Sequence, residues 1–350
     1  MGIIAPTEEA TYRQMHHILE HLIPDFEIRE KARLAYRINR LKKEKNAVIL
    51  GHNYMEAALY HSVPDFTGDS LGLCQMAAET DADVIVFCGV RFMAESAKIL
   101  NPEKTVLLPA TQAGCSLASS ITAQQVRDLK KRFPGVPVVT YINTYADVKA
   151  ETDICCTSSN AQRVIESLGT DTVIFLPDQY LAGNVAEQLG WKMYFPQDDA
   201  DGSKQPADLK KTVIAWHGAC EVHELFTPAD VTSVRQQFPD VTVLAHPECK
   251  PDVVHEADFT GSTTAMIKYV EEHQAEEYLL LTECAMGDNI ISEHPDKNIL
   301  RLCSHRCPHM AEITLEDTLD SLENMRYEIT VPEDIRVKAL TSIERMLEIG

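Results

Sequence analysis

An internal repeat is the feature of this 350-residue sequence that most restricts its possible folds. Residues 115–158 align with residues 220–263 without a gap, and 11 of the 44 aligned positions are identical. In this alignment Cys115 falls on Cys220. Since self-similarity at a fixed spacing indicates repeated structural units, we infer that one strand-and-helix unit has been duplicated.

Each copy has the pattern of a parallel α/β unit, because short apolar strands alternate with helical stretches. A third copy is divided between the two ends of the chain: residues 46–89 lack a first strand, and Asn298–Leu302 resembles one. The polar stretch Gln197–Lys211 is expected to separate the second and third units. We therefore predict an α/β fold of three similar αβα (parallel-sheet, Rossmann-like) units around a pseudo-threefold axis with a central active site. The predicted units are residues 1–104 with 297–350, residues 105–211, and residues 212–296.

One cysteine follows the predicted first strand of each unit: Cys115, Cys220 and Cys307. Cysteine thiolates are the common ligands of iron–sulfur clusters, and an open position on a metal site permits catalysis. Three thiolates from three units therefore predict a [4Fe-4S] cluster with one iron free of protein ligands. A lone cysteine more often packs as a small apolar side chain. A zinc site is a weaker alternative, because Cys₃ zinc sites usually contain a close Cys-x₂-Cys pair.

The second strand of each unit ends with polar residues at alternate positions. Because alternate residues of a strand point the same way, we expect each pair to project toward the centre. Such groups suit acid–base chemistry beside a Lewis-acidic iron, although each alone is equally consistent with a hydrogen-bonded core residue. Ile142 and Pro247, which lie between paired residues, are included as substrate contacts. The pairs are His52 and Tyr54, Tyr141 and Asn143, and His246 and Glu248.

The third strand of each unit ends in a hydroxyl: Ser70, Ser158 and Thr263. Each stands before a helical pattern, so we expect it to be the N-cap of that helix. Helix N-termini also bind phosphate and carboxylate groups through free backbone N–H groups. The three hydroxyls are therefore predicted to bind anionic parts of a substrate.

The sequence has a formal net charge of −21, with 53 acidic against 32 basic side chains. This argues against nucleic-acid binding, which relies on basic side chains that neutralise phosphates. An anionic substrate would need local positive potential from helix N-termini, His residues or a metal. Neither a membrane-spanning apolar run nor a signal peptide is recognisable, so we predict a cytoplasmic protein without membrane partners, whose ten cysteines are thiols or metal ligands.

The residues singled out above stand in stretches that resemble the quinolinate synthase family, in the same order and over nearly the whole chain. The most specific stretches are LKKEKNAVILGHNY (41–54), GDSLGL (68–73), VIVFCGVRFMAESAKIL (84–100), NPEKTVLLPATQAGCSL (101–117), VTYINT (139–144), WHGACEVH (216–223), AHPE (245–248), GST (261–263) and CPHM followed by ITLEDTL (307–319).

The resemblance implies a transferase of NAD (pyridine nucleotide) biosynthesis that condenses iminoaspartate with dihydroxyacetone phosphate to quinolinate, with loss of phosphate and water. It implies a [4Fe-4S] cluster on the three cysteines and a pseudo-threefold fold, with an aspartate-oxidising enzyme as the source of iminoaspartate. Tyr54 and His223 match family positions near the cluster. The family's substrate-binding positions match His52, Ser70, Tyr141, Asn143, Ser158, His246, Glu248 and Thr263.

From both lines of reasoning we predict that Glu248, His246 and Tyr54 move protons. Tyr141, His52 and Asn143 are predicted to orient the substrates.

Some alternatives stay open at this point. Some family members carry Cys-x₂-Cys-x₂-Cys near the last ligand, where this sequence has only Cys303 and Cys307. The following Pro-x-Met favours Cys307 as the ligand; Cys303 is the alternative, and the two could form a redox pair. The alternative functions are another [4Fe-4S]-dependent hydro-lyase and a non-catalytic iron–sulfur sensor.

Overall fold

The computed structural model describes residues 2–199 and 205–350. Within these ranges the strands are β1 Ala47–His52, β2 Phe66–Gly68, β3 Val84–Cys88, β4 Thr105–Leu107, β5 Val138–Tyr141, β6 Ile154–Cys156, β7 Thr172–Leu176, β8 Lys192–Tyr194, β9 Thr212–Ala215, β10 Thr242–Ala245, β11 Phe259–Thr260, β12 Tyr278–Leu281 and β13 Ile299–Arg301.

The α-helices of the same ranges are α1 Glu8–Leu19, α2 Asp25–Glu44, α3 Ala57–Ser62, α4 Ser70–Glu79, α5 Arg91–Leu100, α6 Ser116–Ser119, α7 Ala123–Arg132, α8 Ala146–Lys149, α9 Ala161–Ser167, α10 Gln179–Leu189, α11 Pro228–Gln237, α12 Pro251–His255, α13 Thr263–Glu272, α14 Cys284–Glu293, α15 Pro308–Ala311, α16 Leu315–Asn324 and α17 Glu333–Ile349.

The strands form three sheets in which every named pair is parallel. Their orders are β2-β1-β3-β4, β6-β5-β7-β9-β8 and β11-β10-β12-β13. Inner strands such as β3 and β7 are buried along their whole length, and β1 and β10 are buried after their first residue, because helices flank the sheets. The predicted α/β class with three similar αβα units is confirmed.

The repeat also appears in how helices begin. Thr122 and Thr227, which the sequence alignment superimposes, both start helices with a complete capping box. In each box the threonine side chain accepts a hydrogen bond from the backbone N–H three positions on. The side chain of that later residue accepts a hydrogen bond from the threonine N–H. Helices α7 and α11 therefore begin at equivalent points of two units.

One part of the sequence interpretation is wrong. The strands taken as the first of each unit pair instead with the preceding sheet: β4 with β3, β9 with β7, and β13 with β12. Asn298–Leu302 therefore does not supply a strand to the N-terminal unit. A repeating pattern can be divided into units at any point, so the sequence does not show with which strand a unit begins. The hydrogen bonds between strands decide which strands share a sheet. The predicted domain boundaries at residues 104, 211 and 296 stay predictions.

The C-terminal segment returns to the N-terminal part of the chain only in part. Helix α16 packs on α2 and β3, as expected, whereas α17 packs mainly on α8 and β6 of the second predicted unit and also on α5. The Ile329 backbone N–H also donates to Val106 O at 2.8 Å, which extends the edge of the first sheet.

The polar stretch Gln197–Lys211 does not separate two sheets. It joins β8 to β9, which are neighbours in the second sheet. Residues 200–204 of this stretch lie outside the described residues. Among the described residues, no helix combines the length and apolar character needed to span a membrane.

Candidate active site

Residues that follow strands of all three sheets meet at one cavity. Because carboxyl ends of parallel strands share one edge of a sheet, three such edges supply most of the lining. The predicted site residues whose side chains line the cavity are His52, Tyr54, Ser70, Cys115, Tyr141, Asn143, Ser158, Cys220, His223, His246, Glu248, Thr263 and Cys307.

Two predicted substrate contacts lie outside this lining. The Ile142 side chain is fully buried in the core, and its backbone N–H donates to Cys156 O. Pro247 lines a neighbouring groove, and its carbonyl accepts from Asn184 Nδ2 at 2.8 Å. Both lie between residues whose side chains face the cavity. A substrate contact of these two residues therefore stays a prediction.

The turns after β1 and β10 have the same internal geometry. The Tyr54 N–H donates to His52 Nδ1 at 3.2 Å, and the Glu248 N–H donates to His246 Nδ1 at 3.3 Å. One residue further, Met55 N donates to His52 O. Because Nδ1 accepts a hydrogen bond in both rings, the neutral form carries its proton on Nε2.

Two asparagines that the sequence interpretation missed hold these turns from the neighbouring unit. Asn289 Nδ2 in α14 donates to the carbonyls of Asn53 and Met55 at 3.1 and 3.0 Å. Asn184 Nδ2 in α10 donates to the carbonyls of Pro247 and Cys249 at 2.8 and 3.0 Å. A signal for this pair existed, since Asn184 and Asn289 have the same 105-residue separation as Cys115 and Cys220.

Glu248 is the centre of the acid–base groups and is only 3% exposed. The Tyr141 hydroxyl donates to Glu248 Oε1, and Asn143 Nδ2 donates to the same oxygen at 3.5 Å. Glu248 Oε2 lies 2.8 Å from His223 Nδ1, close but without the alignment of a hydrogen bond. Burial alone would raise the pKa of Glu248, but His223 above all, with His246 and Tyr141, lowers it to about 2.

The two histidines of the matched turns are held neutral. Burial lowers the pKa of His52 to about 4 and the pKa of His246 to about 3. Burial also raises the pKa of Tyr54 and Tyr141 well above that of free tyrosine, and Glu248 adds to this effect. At neutral pH the His52 and His246 rings and the hydroxyls of Tyr54 and Tyr141 are therefore uncharged groups near the Glu248 carboxylate.

A chain of three polar side chains crosses the cavity wall. Tyr54 Oη lies 2.6 Å from Thr282 Oγ1, which lies 3.0 Å from His223 Nε2. The His223 ring also stacks on His246 with 4.6 Å between ring centroids. Thr282 follows β12 and was missed, because the sequence interpretation examined only the ends of the first three strands. Hydrogen bonds thus connect Tyr54 with His223, the residue next to Glu248.

The three predicted hydroxyls lie at the cavity, but they do not cap their helices through their side chains. Asp69 and Ser262 are the N-caps of α4 and α13, which makes Ser70 and Thr263 the first helical residues. Ser158 lies before Asn160, the N-cap of α9, and its Oγ is 3.3 Å from His246 Nε2. Because their neighbours take the N-cap positions, none of the three is committed to capping.

The cavity lining contains no Lys or Arg among the described residues, but includes the acidic residues Asp69, Glu221, Glu248 and Glu283. Side chains therefore give an anionic ligand little attraction. An anionic substrate would therefore need positive potential from helix N-termini, His residues or a bound metal.

The three predicted metal ligands, Cys115, Cys220 and Cys307, are half-buried and line the same cavity. Burial raises the pKa of Cys115 to about 12 and of Cys307 to about 11. It also raises the pKa of Cys220, with a further contribution from Glu248. Thiols in this state need a nearby cation to ionise, which a bound metal provides.

The distances between the three sulfur atoms distinguish a site for a cluster from a site for a single metal ion. Among the described residues the three sulfur atoms do not form a group within 4.8 Å of one another. A tetrahedral zinc ion with bonds of about 2.3 Å would bring them much closer, whereas each iron of a cluster takes one thiolate. In the described part of the chain the three sulfurs are therefore not arranged for a single zinc ion, whereas a cluster does not need them so close.

Two buried polar atoms beside the thiols have no hydrogen-bond partner: Asn143 Oδ1 and His223 Nδ1. Buried polar groups are normally paired, so such atoms indicate that a bound group completes the site. A ring nitrogen of His223 also lies within 4.8 Å of donor atoms of Cys220 and Glu248, a second arrangement that could hold a metal ion.

Cys303, the alternative ligand, forms a disulfide with Cys284, so the prediction that all ten cysteines are thiols or metal ligands is wrong for these two. The Cys303–Cys307 redox pair is therefore not formed in this structure, and Cys307 is a free thiol.

The fold and the cavity together define an α/β enzyme whose buried acid–base groups adjoin a set of thiols suited to a metal cluster. A model of the family described as quinolinate synthetase A protein matches residues 36–348. The chain therefore belongs to the quinolinate synthetase A family, which confirms the resemblance.

Three relatives illustrate the similarity. Quinolinate synthase 2 of Mesorhizobium japonicum is 49% identical over 349 residues, or 100% of both chains. The quinolinate synthase of Sinorhizobium fredii is 48% identical over 97% of this chain and 90% of the relative. That of Xylella fastidiosa is 51% identical over 89% of this chain and 86% of the relative.

Proposed function

We propose that this enzyme condenses iminoaspartate with dihydroxyacetone phosphate to quinolinate, with loss of phosphate and water, in NAD biosynthesis. The observation that supports this most directly is the single cavity that combines three free thiols with Glu248 and its neutral partners. The family membership supports the same reaction. We also propose that a pseudo-threefold axis relates the three units.

Cys115, Cys220 and Cys307 would hold a [4Fe-4S] cluster and leave one iron without a protein ligand. When bound, the cluster supplies a Lewis acid that polarises a substrate oxygen or nitrogen. The position of the three free thiols at one cavity and the unpaired atoms on Asn143 and His223 support this assignment.

Glu248 is proposed to accept and return protons, because it is a buried carboxylate of the cavity in contact with proton donors, the Tyr141 hydroxyl among them. His246 lies beside it, and Tyr54 is connected to it through Thr282 and His223. These groups would serve the imine formation and dehydration that the condensation requires.

The other lining residues are proposed to bind and orient the substrates. His52, Tyr141 and Asn143 would position them against Glu248, and Ile142, Pro247 and His223 are included as predicted contacts. Ser70, Ser158 and Thr263 would bind carboxylate or phosphate groups together with the backbone N–H groups near the starts of α4, α9 and α13.

We further propose that the partners are these small molecules, without nucleic acid or membrane. An aspartate-oxidising enzyme would supply iminoaspartate in the cytoplasm.

The test is anaerobic turnover with reconstituted protein, dihydroxyacetone phosphate and freshly generated iminoaspartate. The expected result is quinolinate, measured by chromatography, with loss of product when iron is omitted. Iron-free protein with full turnover would refute the role of the cluster. Cluster-containing protein that forms no quinolinate but dehydrates a hydroxy acid would be a hydro-lyase instead. An iron–sulfur sensor would form neither product, and Glu248→Gln would then change nothing beyond stability.

A further inference from the structure

We propose that Glu283 is a positioning residue that holds the loop of Cys307 in place and thereby retains the cluster. The inference rests on the proposed function for the cluster itself. No prediction from the sequence included Glu283, although it lines the cavity and is only 4% exposed.

The two carboxylate oxygens of Glu283 contact two different segments. Oε2 accepts from the Ala285 N–H at 2.7 Å and so caps α14, and Oε1 accepts from the Cys307 N–H at 3.4 Å. The side chain thus joins the end of β12 to the cysteine that follows β13. A buried carboxylate whose oxygens both accept N–H groups restricts both segments.

The other two cysteine loops are held by backbone bonds at this point. The Arg91 N–H donates to Ala113 O, and the Gln179 N–H donates to Gly218 O, both at 2.8 Å. Both acceptors lie two residues before a cysteine of the set. The equivalent donor in the third unit is Cys284, and within the described residues its N–H makes no such bond.

The close approach of the second loop also depends on its sequence. A Cβ atom at Gly218 would lie 2.4 Å from Pro177 O, so only glycine allows this backbone contact. The third loop has no glycine before its cysteine, and side chains supply the connection instead. These connections are the hydrogen bond from the Cys307 N–H to the Glu283 side chain and the disulfide between Cys284 and Cys303.

A comparison with Asp178 explains why a glutamate stands here. Asp178 is the repeat equivalent of Glu283 and also caps its helix, since Oδ1 accepts from the N–H groups of Tyr180 and Leu181. Its Oδ2 is buried and has no partner. Glutamate is one methylene longer, and in Glu283 the second oxygen reaches the cysteine loop.

Two substitutions separate this role from helix capping. Glu283→Asp keeps the charge and the cap but shortens the side chain, whereas Glu283→Gln keeps the length and turns an acceptor into a donor. Thr227→Ala is the matched control, because it removes an N-cap from the same unit without contact to a cysteine.

The first measurement uses protein reconstituted anaerobically under identical conditions, with iron and sulfide counted per chain and iron loss to a chelator followed in time. Both Glu283 variants are expected to lose iron about tenfold faster or more, as for other groups that support metal ligands. Thr227→Ala should lose iron at the wild-type rate. Wild-type rates in both Glu283 variants would overturn the proposal, as would equally fast loss in Thr227→Ala.

The second measurement uses metal-free protein and does not depend on the cluster. Hydrogen exchange of a peptide covering residues 302–311 is expected to be faster in both Glu283 variants and unchanged in Thr227→Ala. Unchanged exchange in the Glu283 variants would overturn the positioning role. If wild-type protein bound no iron, the cluster assignment would fail, and the exchange result alone would decide whether Glu283 holds the loop.

Discussion

The turns after β1 and β10 are built alike and yet present different chemistry. In both, a histidine accepts the N–H of the residue two positions on, and an asparagine from another unit holds the main chain. The side chain two positions after that histidine is Tyr54 in one turn and Glu248 in the other. A repeated backbone thus positions the cavity groups, and a single side chain sets whether a turn contributes a hydroxyl or a carboxylate.

The surroundings of these two side chains differ accordingly. Glu248 accepts hydrogen bonds from Tyr141 and Asn143, and nearby His223 helps to lower its pKa. The Tyr54 hydroxyl contacts the uncharged Thr282 and keeps its proton, since burial raises its pKa. We therefore expect the β10 turn to carry the proton transfer and the β1 turn to support it.

The largest effect should come from Glu248→Gln. The change keeps the shape but removes the buried base, so we expect turnover to fall by about 10²–10⁴-fold, the usual contribution of a general base. Quinolinate formation measures it, with cluster content as the control. A loss of less than tenfold with a full cluster would contradict the central role of the β10 turn.

Tyr54→Phe should have a smaller effect, because the hydroxyl lies at the end of the Thr282–His223 chain. Loss of one buried hydrogen bond costs about 1–3 kcal/mol, which corresponds to about 5- to 150-fold in turnover if it acts in the transition state. The steady-state turnover of Tyr54→Phe, measured beside that of Glu248→Gln, shows which substitution lowers activity more. If Tyr54→Phe were the more damaged enzyme, the two turns would have the opposite roles.

Asn184→Ala and Asn289→Ala test whether the turns are held equally. Each leaves two buried carbonyls without their side-chain donor, so we expect a loss of about 1–3 kcal/mol in the free energy of unfolding for each. Denaturant unfolding of metal-free protein measures both values. Losses that differ by several kcal/mol would show that the similarity of the turns is geometric only.

Per pH unit, the titration of a single histidine ring has the smallest expected effect on stability. Because burial lowers the pKa of His52 and His246 in the folded state, the unfolded chain takes up protons first as pH falls below about 6.5. Each ring should then reduce the stability of metal-free protein by up to about 1.4 kcal/mol per pH unit until its folded pKa is reached.

Glu248 adds a loss in the same direction below about pH 4.5, since its folded pKa is also lowered. Thermal unfolding between pH 7 and 4 checks the slope, and His246→Asn should make it shallower. An unchanged slope in that variant would show that His246 takes up its proton in the folded state.

The sequence by itself was sufficient for the α/β class, the three similar units and the family. Repetition and strand patterns along the chain carry that information, because local side-chain periodicity follows burial in a sheet. It also identified most residues of the cavity, since strand ends and their alternating side chains can be located from the pattern alone.

Tertiary structure decided which sheet each strand joins, because pairing partners lie far apart in sequence. Strands β4, β9 and β13 therefore lie in a different sheet from the one predicted. It alone showed the contacts between units, such as Asn289 with the β1 turn and Glu283 with Cys307. A local pattern contains no information about which distant N–H or carbonyl group a buried polar side chain will reach.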